Sequence, residues 1–143
     1  MQAKQLSVFI ENREGRLDEV LAVIKAANVN ILSLSLADTS EYGLLRLIVS
    51  DPAAADKALK ASGFSSMLTG VLVVRLDNKV GSLQDFLCVL AKENINLEYM
   101  YGLTIENGGK ASLVIKASDL DIAADVLKNA GAELLSDAEI AKL

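Results

Sequence analysis

Apolar positions along the chain alternate between two rhythms, one suited to strands and one to helices. Lys4–Glu11 and Val71–Asp77 are β-rich apolar runs that suit strands buried on both faces or nearly so. After each comes a polar turn ending in glycine, ENREG and then DNKVG. Leu17, Val20, Leu21 and Ile24 then recur at steps of three and four, as do Leu83, Phe86, Leu87 and Leu90, so each set lines one helix face. Ser82 with Asp85 reads as a capping-box start for the second of these helices, and the first lacks one. Second strands are expected over Val29–Asp38 and Ile95–Glu106, hairpins at Thr39–Gly43 and Asn107–Lys110, and third strands over Leu44–Ser50 and Ala111–Ala117. Asp51-Pro52 and Ser118-Asp119 open further helices, Pro52–Ser62 and Asp119–Ala130, which Gly63 and Gly131 stop. A short fourth strand closes each half, and Ser136–Leu143 adds a helical turn.

The halves are copies. Shifted by 66 residues, residues 6–31 fall on 72–97 without a gap, with nine identities in 26 positions. Among them Asn12, Gly15, Leu17, Asn28 and Asn30 meet Asn78, Gly81, Leu83, Asn94 and Asn96. Further on the offset grows slightly, so that Leu59 and Gly63 meet Leu127 and Gly131. The fold class is therefore α+β: two ferredoxin-like βαββαβ units in tandem, antiparallel sheets with helices on one face. The expected domains are 1–69 and 70–143, joined by a few residues near Thr69-Gly70.

Composition narrows the chemistry. The 143 residues are 52% hydrophobic, enough for packed cores, yet each half is small, so packing against other units and a homodimer are expected. A net charge of −5 without a basic run gives no means of neutralising phosphates, which argues against nucleic acid. No apolar run approaches the roughly 20 residues of a membrane span, and the N-terminus lacks a signal pattern. The single cysteine, Cys88, fits a reducing cytoplasm and reads as a packed helix residue. There is no histidine, which removes His-based triads and His zinc sites, and no CxxC or Walker-type glycine loop appears. No catalytic residue, metal or cofactor is expected.

What remains is the duplicated turn. Gly15 and Gly81 let the backbone turn sharply into a helix, so the amides of Arg16–Leu17 and Ser82–Leu83 are expected to be free donors at a helix N-terminus, suited to a carboxylate. Asn12, Asn30, Asn78 and Asn96 each offer a carbonyl acceptor and an amide donor, which together could hold both ends of a zwitterion, although asparagine is also common in turns for its own sake. Asn28 and Asn94 read as helix C-terminal caps. Tyr99 and Tyr101 share one strand face and could wall a ligand pocket or cover an interface; Ser33 and Ser35 stand at the matching positions. Arg13 and Arg16 read as solvated loop charges.

The segments ENREGRLDEVLAVIKAANVNI and DNKVGSLQDFLCVLAKENINL resemble the opening of an ACT domain, a small ligand-binding regulatory module found on amino-acid-controlled enzymes. The likeness covers nearly the whole chain twice over, and NLEYMYG resembles the stand-alone tandem members. It implies that Asn12 and Asn78 in the turns, with Asn30 and Asn96 before strand two, grip an effector across an interface between units, Asn12 facing Asn96 and Asn78 facing Asn30. The chain departs from the family in having Glu14 and Val80 where a proline precedes the turn glycine, and a buried Glu14 would repel a carboxylate. Ile10 and Leu76 replace a polar residue tied to serine specificity.

Three functions are then open. One is a non-catalytic sensor that binds a free amino acid and regulates a partner, such as an amino-acid-pathway enzyme, or its own assembly. Another is a ligand-free interaction and oligomerisation module or regulatory subunit. The third is a small enzyme resembling the acylphosphatases, with Arg13 and Asn30 at the site; against it, the turn has no glycine-rich cradle and Lys79 replaces the arginine in the second copy.

Overall fold

The computed structural model describes residues 2–38, 41–106 and 108–143. Of the two expected hairpins, Thr39, Ser40 and Asn107 lie outside the described residues. The chain divides into two compact units, one of residues Lys4–Thr69 with Ala141–Leu143, the other of Gly70–Ile140 with Met1–Ala3.

In the first unit, β1 (Ala3–Glu11) leads through a turn to α1 (Arg16–Ala26), followed by β2 (Ile31–Asp38), β3 (Tyr42–Val49) and α2 (Pro52–Ala61). β4 (Ser65–Asp77) supplies the closing strand with its first residues, giving the order β2-β3-β1-β4. β3 runs antiparallel to both β1 and β2, with Leu6 opposite Leu47 and Val8 opposite Leu45. Alternation then sends Leu6, Val8, Ile10, Leu45, Leu47 and Val49 to one side, where Val20 and Ile24 of α1 and Ala55 and Leu59 of α2 complete the core. The other side of β1 carries Gln5 and Ser7, both buried; the Gln5 side-chain amide donates to Ser7 Oγ at 3.0 Å, and Ser7 Oγ lies 3.0 Å from Thr69 Oγ1. Those partners satisfy the buried polar groups.

The second unit repeats the plan. The later part of β4 is followed by α3 (Ser82–Lys92), β5 (Leu97–Glu106), β6 (Lys110–Ala117), α4 (Leu120–Asn129), the two-residue β7 (Glu133–Leu134) and α5 (Asp137–Ile140). β6 is antiparallel to β4 and β5, and β7 pairs with β4 through Val74 and Arg75. Leu72, Val74 and Ile115 pack with Phe86, Leu90, Ala124 and Leu127 from the helices. The protein is thus α+β, with seven antiparallel strands among the described residues and helices layered on the sheet in each unit. Among the described residues no helix is long and apolar enough to cross a membrane.

Two local expectations are corrected. The chain passes from one unit to the next inside β4, whose 13 residues run without a break through Thr69 and Gly70, so there is no linker there. The capping box at Ser82 and Asp85 does not form: Gly81, at φ +86°, is itself the N-cap, Ser82 is the first helical residue, and no side chain caps the helix. With Ser82 already helical, its hydroxyl is misplaced to accept from the third-residue amide. A capping box does form at the start of α5, where Ser136 Oγ accepts from the Glu139 amide at 3.3 Å and the Glu139 carboxylate takes the Ser136 amide at 2.7 Å. The helix ends follow expectation, with Asn28 and Asn94 left-handed at φ 58° and 56°. The next amides, of Val29 and Ile95, reach back to Ile24 and Leu90 carbonyls at 3.3 and 3.0 Å, closing a Schellman turn.

Candidate functional site

Each strand-to-helix turn is built the same way. The Asn12 amide donates to the Glu41 carbonyl at 3.2 Å and the Arg13 amide to that of Glu11 at 2.9 Å; the Asn78 amide donates to Gly109 at 2.7 Å and Lys79 to Asp77 at 3.0 Å. Gly15 at φ +78° and Gly81 at φ +86° then reverse the chain into α1 and α3. The amides of Arg16 and Ser82, expected to be free, donate back to the carbonyls of Arg13 at 3.4 Å and Lys79 at 3.2 Å. The open donors at each helix start therefore begin at Leu17 and Leu83.

In the first unit this turn borders a half-open cavity of about 200 Å³ lined by Ile10, Glu11, Asn12, Arg13, Leu17, Leu36, Ala37 and Gly43. Its wall joins an asparagine and a helix start to aliphatic side chains from β1, α1 and β2, which suits a small molecule with a polar head and an apolar tail. Glu14 is exposed and lines no part of this wall, so the feared repulsion of a carboxylate from a buried acid does not arise. Sequence reading named Asn12 and Leu17 but missed Leu36 and Gly43. They come from neighbouring strands and carry no motif of their own.

Asn30 and Asn96 sit at the opposite ends of α1 and α3 from Asn12 and Asn78. Eleven helical residues, about 16 Å of axis, separate the two positions within each unit. The Asn30 amide donates to Ser50 Oγ at 2.9 Å and its carbonyl accepts from the Ser50 amide, while the Asn96 carbonyl accepts from Ser118 at 3.0 Å. Asn30 borders a separate hollow of about 380 Å³ with Asn28 and Ile31. No single unit brings its own pair of asparagines together.

Tyr99 and Tyr101 share a face of β5, opposite Lys116 and Val114. Met100 between them packs into the core under the helices, so the tyrosines lie on the other face of the sheet. The cavity beside the second turn is lined by Asp77, Ser82 and Phe86 among others and includes neither tyrosine.

Arg16 is not a solvated charge. Its guanidinium lies 4.4 Å from the centre of the Phe64 ring and pairs with Glu19, burying Nε without a hydrogen-bond partner. Such a stack contributes about 0.5–1 kcal/mol. Arg13 does pair in the open, with Glu11 at 3.0 Å.

The second turn is pinned by charge. Lys110 donates to Asp77 at 2.6 Å, which holds the Asp77 carboxyl below the usual aspartate range and pushes Lys110 up. A carboxylate with a lowered folded pKa stabilises the fold above its unfolded pKa, and that share is lost as pH falls through the lowered value. We therefore expect the Asn78 turn to stay ordered through mild acid and to loosen only below the ordinary aspartate range. Amide NMR shifts of Asn78 and Lys79, followed from about pH 6 to about pH 2, check this; loosening already near the usual aspartate value would contradict it.

A family described as an ACT domain pair matches residues 1–143. No curated protein matches the chain. Among solved structures, protein BT0572 from Bacteroides thetaiotaomicron shares 40% identity over 100% of this chain and 98% of that one, with a TM-score of 0.93. The ligand-free regulatory subunit of aspartate kinase from Thermus thermophilus shares 15% identity over 89% and 91% of the two chains, with a TM-score of 0.61. Its counterpart from Thermus flavus gives 16%, 92% and 94%, and 0.61. At those identities the two regulatory subunits speak for the fold alone. Family match, tandem topology and duplicated turn agree: this chain belongs to the ACT domain pair family.

Proposed function

We propose that the protein is a non-catalytic sensor that binds a free amino acid at its strand-to-helix turns and thereby regulates a partner or its own assembly. The observation that carries this reading is the 200 Å³ cavity beside Asn12, where a helix start and an asparagine meet an aliphatic wall. A carboxylate suits the open amides at Leu17, and the side-chain oxygen of Asn12 suits an ammonium. Asn30 and Asn96, stranded at the far ends of their helices, supply a second grip if a turn of one unit meets the helix end of another, as the family resemblance implies. Arg16, Ser82 and Gly81 then shape the turns rather than hold the ligand. The partner class that fits is an enzyme of amino-acid metabolism, and a homodimer is the expected assembly.

Calorimetric titration of the purified chain against the common amino acids tests the reading. Saturable binding by one or a few is the expected outcome, and silence across the whole panel would falsify it. A second reading, a ligand-free interaction module, draws on the apolar groove along α3 lined by Leu83, Leu87, Cys88 and Ala91, where Leu83 is 44% exposed.

A further inference from the structure

Two copies of one plan let each unit show what the other lacks. In the first, Phe64 is buried just beyond α2, Arg16 stacks on its ring, and Glu19 pairs with Arg16. In the repeat alignment Arg16, Glu19 and Phe64 meet Ser82, Asp85 and Ala132. The acid is kept, whereas the cation and the ring above the core are gone. Phe86 stands where the first unit has Val20, so an aromatic side chain returns to the region from the helix below.

The exchange accompanies a cavity of about 470 Å³ lying wholly within the second unit, among the end of β4, the start of α3 and the turn after α4. Its floor is apolar, with Leu76, Phe86, Val89 and Leu127, and its rim carries three carboxylates and two cations. Both cations are engaged: Lys110 with Asp77 at 2.6 Å, and Arg75 with Glu106 at 2.9 Å and Glu133 at 2.6 Å. Asp85, exposed on the rim, meets no cation among the described residues.

We propose that this cavity binds a small organic cation of the guanidinium type, its charge beside Asp85 as the Arg16 guanidinium lies beside Glu19, and its apolar tail on the floor around Phe86. The size is that of an ordinary small-molecule site. An anion would face a rim with a carboxylate in excess and no unpaired cation. A divalent metal lacks ligands, because among the described residues no group of three or more His, Cys, Asp or Glu is placed to hold one. Guanidinium is favoured over ammonium because it is planar and weakly hydrated, and so tolerates an apolar, aromatic floor. The site contains none of the four turn and strand asparagines and shares no lining residue with the Asn12 cavity, but it borders the second turn through Asp77 and Ser82.

Titration of the full chain with butylguanidinium, followed by two-dimensional amide NMR, tests the proposal. Saturable shifts are expected at Ser82, Asp85, Phe86 and Ala132, with the Asn12 turn unmoved. Asp85→Asn is expected to weaken binding by about tenfold, the loss of one charge-assisted contact. The triple change Ser82→Arg, Phe86→Val and Ala132→Phe, which installs the first unit's own arrangement, is expected to remove binding. Butylammonium is expected to bind more weakly at the same amides. Unsaturated or scattered shifts, a response centred on Asn12, unchanged affinity in Asp85→Asn, or equal binding of butylammonium would overturn the proposal. The probe has no carboxylate, so its behaviour is independent of whether amino acids bind at the turns.

Discussion

Leu47→Ala is expected to destabilise the first unit by about 2–5 kcal/mol, toward the upper end of that span. Leu47 lies on β3 between β1 and β2, is wholly buried, and packs among residues of the helix-covered core. Truncation there removes the transfer energy of the side chain and leaves a cavity that strands paired on both sides cannot close. Ile115, its counterpart opposite Leu72, is just as buried, and Ile115→Ala should cost a similar amount. Denaturant unfolding checks both variants. A loss under about 1 kcal/mol for either would mean that the core at that layer collapses around the gap.

Asn12→Ala is expected to lower affinity for the amino acid found by calorimetry at least about tenfold while moving the melting temperature little. Asn12 is exposed and its backbone amide bond to Glu41 survives the change. A bound ammonium, by contrast, loses a positioned oxygen acceptor. Unchanged affinity would remove Asn12 from the site, and a large fall in melting temperature would make it a turn residue first. The matching substitution Asn78→Ala reads the second turn, where the Asp77–Lys110 pair dominates.

Features whose cause lies within a few residues were legible in the sequence. Helix faces follow from spacing, and the stops at Asn28, Asn94, Gly63 and Gly131 follow from residues that tolerate positive φ. The duplication made each reading count twice. What failed depended on distant partners or on competition between neighbours. Arg16 looked like a loop charge because Phe64, which covers it, lies 48 positions away in sequence. Ser82 looked like a cap because nothing in SLQD reveals that Gly81 already holds that place. The chain does pass between units at Thr69-Gly70, but it does so inside a strand and not through a loop, because this glycine continues β4. Of the residues around the first-unit cavity, Asn12 and Leu17 were readable from the sequence, whereas Leu36 and Gly43 enter its wall only through strand pairing.

The unbroken run of β4 bears on how this gene can be cut. A stop codon after Thr69 would leave a terminal carboxylate next to a threonine whose hydroxyl lies 3.0 Å from that of the buried Ser7. A start at Gly70 would set an ammonium one residue before the fully buried Val71. Thr69 and Gly70 are themselves only half-buried, so either new charge keeps some water, but it sits at the end of a strand that the fold uses as one piece. The halves share a plan, yet a cut at that point ends or begins a chain in the middle of a strand instead of in a loop.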